Sequence, residues 1–129
     1  MGLTAVAIAL GSASSAFAAN KTWTKGAGSA TWSTSNNWSP GGQPATGDTA
    51  TFGAIGAGTV NLVSASNRLN GMSIAAGTSY IFTGNAIRFN GGTTITNNGT
   101  ANFNLLNVFG SATLTLAGSG TSTVKGFAT

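Results

Sequence analysis

The sequence predicts an all-β chain wound as a three-sided parallel β-helix, with a tryptophan-rich cap at its N-terminal end. A β-sandwich is the alternative. Three observations lead there. Charged residues make up 5% of the 129 and hydrophobic residues 41%, against about 25% charged in typical soluble domains. Gly, Ala, Thr, Ser and Asn fill most of the rest, Glu is absent and Lys scarce, so the usual helix surface is missing. The second observation is alternation: from Thr59 onward, short triads place two apolar residues around one that is usually polar. The third is punctuation by Gly and Asn, which tolerate the positive φ of tight turns.

The first element is an address rather than a structure. Residues Gly2 to Leu10 are small and apolar, a small-residue stretch follows, and then comes Ala16-Phe17-Ala18. An A-x-A triplet after a short apolar run is the signal-peptidase pattern, so residues 1–18 are expected to be a signal peptide. Cleavage is expected after Ala18, with Ala19 as second choice. The run is too short to span about 30 Å of hydrocarbon, so no integral membrane segment is expected. No Lys or Arg precedes the run, which departs from the pattern; a buried N-terminal helix is the competing reading.

Residues 19–53 form the expected cap. They hold all three tryptophans, Trp23, Trp32 and Trp38, and both prolines, Pro40 and Pro44. Residues 54–129 form the expected coils, continuing in a longer native chain. Their triads are Val60-Asn61-Leu62, Met72-Ser73-Ile74, Ile87-Arg88-Phe89, Phe103-Asn104-Leu105 and Leu114-Thr115-Leu116, with Tyr80-Ile81-Phe82 fitting through an apolar middle. Thr94-Ile95-Thr96 and Thr123-Val124-Lys125 are the complement. A period of 2 means one buried face, which puts Arg88 and Lys125 outside. Between the triads stand Asn70-Gly71, Ala76-Gly77, Gly84-Asn85, Asn90-Gly91-Gly92 and Asn97-Asn98-Gly99. Three intervals of 7 to 9 residues make one coil of about 22. Sandwiches repeat turn signals every 8 to 12 residues or so, an overlapping spacing. Short strands and turns rich in Asn, which can stack coil upon coil, favour the solenoid.

The composition excludes much chemistry. One acid, Asp48, no His and no Cys leave no carboxylate pair, no nucleophile–histidine pair and no thiolate–imidazole zinc site. No enzyme activity, cofactor or metal is therefore expected. Asp48 is read as capping backbone N–H groups of its own turn, Thr46-Gly47-Asp48-Thr49. The net charge of +4 comes from Lys21, Lys25, Arg68, Arg88 and Lys125. These are read as isolated solvated cations, since nucleic-acid binding needs a clustered basic footprint.

The run Trp23…Trp32…Asn37-Trp38-Ser39…Pro44…Gly47-Asp48-Thr49-Ala50-Thr51-Phe52 resembles the opening of bacterial autotransporter-associated β-strand repeat proteins (passenger-associated transport repeat proteins). The closing Leu114 to Gly126 stretch resembles their Gly-rich strand repeats. The resemblance implies the N-terminal fragment of a secreted passenger, a right-handed β-helix without catalytic activity. It also implies localisation at the cell surface, associated with the outer membrane in the full-length form. No outer-membrane β-barrel translocator follows within this sequence.

The expected function is thus a structural or adhesive segment. Expected partners are a host or neighbouring-cell surface, a polysaccharide, or further copies meeting at open solenoid ends. The alternative is a carbohydrate-binding module in which Trp23, Trp32 and Trp38 form a sugar-stacking platform. The threonine ranks are too irregular in sequence to predict an ice-binding plane. Asn37-Trp38-Ser39 and Asn98-Gly99-Thr100 match glycosylation acceptors, as short motifs do by chance in an Asn/Thr-rich chain.

Overall fold

The computed structural model describes residues 17–110 and 113–128. The expected signal peptide lies outside the described residues except for Phe17 and Ala18, both exposed. The described chain is a parallel β-solenoid of about four turns, which decides against the sandwich.

Twelve strands run in chain order: β1 (Asn20–Trp23), β2 (Trp38–Ser39), β3 (Thr49–Phe52), β4 (Gly58–Leu62), β5 (Arg68–Leu69), β6 (Gly71–Ile74), β7 (Ser79–Gly84), β8 (Ile87–Asn90), β9 (Thr94–Asn97), β10 (Thr100–Phe109), β11 (Thr115–Ala117) and β12 (Thr121–Ala128). One sheet has the order β11-β9-β6-β3-β1-β2. Every pairing in it is parallel except β1 with β2. The other strands form two further faces, β4 beside β7 and β5 beside β8. β10 spans both faces: Thr100–Phe103 pairs with β7 and Leu106–Phe109 with β8, while β12 pairs along its opposite edge. A coil takes 22 residues from Thr51 to Ser73, 21 from Asn98 to Ser119 and 20 from Asn70 to Asn90, close to the spacing read from the triads.

Alternation places the core. Val60 and Leu62, Met72 and Ile74, Tyr80 and Phe82, Ile87 and Phe89 all point inward. Ile81, the apolar middle of its triad, points out. Two triads come out differently. In Phe103-Asn104-Leu105 it is Leu106, not Leu105, that is buried with Phe103, because the chain turns the corner between two faces inside β10 and alternation slips by one. In Leu114-Thr115-Leu116, Leu116 stands over Ile95 in register yet is 46% exposed, and Phe127, over Leu106, is 66% exposed. Both occupy core positions in the last described coil, and among the described residues no rung covers them.

The turn between the first and second faces recurs coil after coil. Asn98 N donates to Ile74 O (2.9 Å) and Gly120 N to Asn97 O (2.8 Å). A Cβ on Gly99 would come within 2.5 Å of Thr78 O and 2.6 Å of Ala75 O, so the chain needs glycine at this position for its close approach to the coil below. Part of the expected asparagine stacking is present: Asn90 Nδ2 donates to Asn70 Oδ1 at 2.6 Å.

The tryptophan-rich segment closes the far end of the first sheet. β1 lies beside β3, and β2 folds back antiparallel with Trp38 opposite Trp23. Thr31 bridges to Asn61 beside β4. β3 itself, within the segment read as the cap, is already a coil strand.

Candidate functional site

Trp23, Trp32 and Trp38 are 0%, 1% and 3% exposed. Their rings meet edge to face, Trp23 on Trp38 at 5.2 Å and Trp32 on Trp38 at 4.8 Å between centroids, and all three pack on Phe52. Trp23 Nε1 donates to Gly56 O (3.0 Å) and Trp38 Nε1 to Trp32 O (2.6 Å). The alternative of a sugar-stacking platform requires indole faces open to solvent, and here these faces are closed by one another. Sequence alone could not separate the two, because tryptophans serve caps and platforms alike.

Asn37 holds this cap from within. It is fully buried at the end of a 3-10 turn, Ser35–Asn37. Its Nδ2 donates to Ser29 O, Ser29 Oγ and Thr31 O at 2.8–3.1 Å, and its Oδ1 accepts from Ala27 N at 3.0 Å. The first acceptor match is therefore an internal amide with no free edge. Asn98 of the second is exposed, and its Oδ1 accepts from Ser119 N.

Asp48 is buried and takes two backbone donors at 2.8 Å. Ala45 N donates to Oδ2, which is the local cap the sequence suggests. Ala19 N donates to Oδ1 from 29 residues away, a tie the sequence did not signal.

The cations are not all isolated. Arg68 and Arg88 are register partners on β5 and β8. Their guanidinium carbons lie 3.9 and 4.5 Å from the centroid of the Phe109 ring. Residues one coil apart in sequence become neighbours, and that signal was present in the spacing.

The outer face of the first sheet is lined with hydroxyl and amide side chains. Its registers align Asn20, Thr49, Gly71, Thr94 and Thr115 in one rank, and Thr22, Thr51, Ser73, Thr96 and Ala117 in a second. Neighbours within a rank lie one strand spacing apart, about 4.7–4.9 Å, and the two ranks lie two residues apart along the strands, about 6.6 Å. At the N-terminal end the hydroxyls bond one another: Thr49 Oγ1 and Thr51 Oγ1 donate to Asn20 Oδ1 at 3.1 and 2.8 Å, and Ser73 Oγ donates to Thr51 Oγ1 at 3.3 Å. Gly71 leaves a dent in the first rank. Around it runs a shallow groove of about 430 Å³, bordered by Asn20, Thr49, Thr51, Ser73, Thr94 and Thr96. The threonines that look irregular along the chain are ordered across it, because strand register rather than sequence spacing aligns them. Among the described residues no charged side chain lines the groove, so what it offers is hydrogen bonding without titration.

Comparison with protein-family models, curated proteins and solved structures finds no match to this chain. Among the described residues no helix is long and apolar enough to cross a membrane.

Proposed function

We propose that the chain is a non-catalytic, exported structural or adhesive segment of passenger type, displayed at the bacterial cell surface. Its contact surface is the hydroxyl-lined face of the first sheet. The observation that carries this reading is the pair of aligned ranks around the Gly71 groove: a repeating, uncharged array of donors and acceptors. Such an array suits a neutral, hydroxyl-rich polymer such as a cell-surface polysaccharide, whose groups recur along its length as the ranks do. The leader-like residues 1–18 and the resemblance of the Trp/Asp/Phe run to autotransporter-associated repeat proteins support export. The missing His, Cys and second acid support a role without turnover.

Pull-down on insoluble neutral polysaccharides tests the reading. Retention should fall with Thr94→Val/Thr96→Val, which removes two hydroxyls while keeping β-branched residues. Retention unchanged by that pair but lost with Trp32→Ala in a chain still folded would overturn it in favour of a tryptophan site.

Self-association belongs to the same reading. Leu116 and Phe127 present apolar area where a next rung would pack, and among the described residues β11 and β12 have no strand paired on their outer edges, where a second copy could add. Sedimentation across a concentration series should reveal oligomers that Phe127→Ser weakens.

A further inference from the structure

We propose that Asp48 is the receptor for a new N-terminus, created by cleavage between Ala18 and Ala19. Its carboxylate then holds the Ala19 α-ammonium group as an ion pair. The inference rests on the export reading and extends it to a site that completes itself on processing.

The geometry is already in place. Ala19 N lies 2.8 Å from Asp48 Oδ1, and the other carboxylate oxygen is taken by Ala45 N, also at 2.8 Å. Ala19 O accepts from Thr49 N at 2.9 Å, and the next residue, Asn20, opens β1 in register with Thr49. Ala19 is therefore anchored at the very nitrogen that would become the amine. The two residues before it, Phe17 and Ala18, are exposed, Phe17 at 90%, so the side of the bond that would be cut away is open to solvent.

Hydrolysis of the Ala18–Ala19 amide consumes one water. Ala18 leaves with the new carboxylate, and Ala19 keeps the nitrogen, which is protonated near neutral pH. The bond to Oδ1 changes from amide N–H to ammonium without movement of either residue, and a hydrogen bond charged at both ends is stronger than one charged at a single end.

Asp48 is the only side-chain acid in the chain. Before cleavage its buried charge is met by neutral N–H dipoles; afterwards it is met by a cation. Cleavage one residue later would remove the Ala19 nitrogen and leave Oδ1 without this donor, a costly state for a buried carboxylate. A chain cut at Ala18–Ala19 thus keeps the donor to Oδ1 that a cut at Ala19–Asn20 removes.

Two measurements test this. Mass spectrometry of the exported chain should give an N-terminus at Ala19. Thermal unfolding should then compare chains beginning at Ala19 with a free and with an acetylated amine, since acetylation removes the charge but keeps an N–H. The free amine should raise the melting temperature by about 4 °C or more, the scale of one charge-assisted bond in a domain of this size. The difference should vanish with Asp48→Asn. Should Asp48→Asn fail to fold, the free and acetylated chains still decide.

Equal melting temperatures for those two chains, or an exported N-terminus at Asn20, would overturn the pairing while leaving export intact. An exported chain starting at Met1 would instead overturn the export reading.

Discussion

The rings of Phe82 and Phe103 are stacked face to face, with centroids 5.1 Å apart and planes 5° from parallel. They occupy the same position of β7 and β10 in successive coils, so a side chain one turn up repeats the one below. Replacing Phe82 by Ala removes a rung of this ladder. It should cost about 3–5 kcal/mol, the range for a buried Phe, read as a lower urea midpoint. A loss well under 1 kcal/mol would mean the ring is not packed between coils.

Asn37 satisfies four polar contacts inside the cap. Asn37→Ala should destabilise by about 2–3 kcal/mol, since buried partners are left unpaired. The three tryptophans report on the same region. Wild-type emission should be blue-shifted and resist quenching by iodide, and the variant should become more quenchable before global unfolding.

Tyr80 gives the chain an alkaline limit. Its hydroxyl donates to Gly53 O, and burial pushes its pKa from 10.0 up to about 12. The unfolded chain loses this proton first as pH rises, so stability is intact below about pH 10 and declines as pH climbs to about 12. Urea midpoints measured across that window should fall in the wild type. In Tyr80→Phe, which has no phenol to ionise, this component of the fall should disappear.

Arg68 and Arg88 repel one another on neighbouring strands, and Phe109 offsets this through cation–π contact. Phe109→Leu should therefore destabilise by about 0.5–2 kcal/mol at low salt. In about 1 M NaCl the loss should shrink, because the Debye length falls to about 3 Å. Equal losses at both ionic strengths would show that the ring contributes packing alone.

Much of the architecture was legible in the chain because a solenoid repeats local patterns. The triads around Asn61, Ser73 and Arg88 mark inward and outward faces directly, and their spacing gives the coil length. Leu105 and Leu106 were not separable, since a corner inside a continuous strand leaves no turn residue to mark it. β5 has only two residues, Arg68 and Leu69, too few for an alternating pattern. The contact between Ala19 and Asp48 depends on register across 29 residues, which no local signal encodes. The hydroxyl ranks are hidden for the same reason: Thr51, Ser73 and Thr96 become a row only when β3, β6 and β9 are laid side by side.

The stacking itself is open to a direct measurement. The chain has no native cysteine, so spin labels can be placed at will. Thr59, Ile81 and Asn102 are outward neighbours on β4, β7 and β10. Labels at Thr59/Ile81 and at Ile81/Asn102 should both show strong dipolar broadening, while Ile81/Arg88, on different faces, should show much less. Broadening in the last pair but in neither of the first two would mean that strands adjacent in sequence are paired as hairpins, and would contradict the parallel coils.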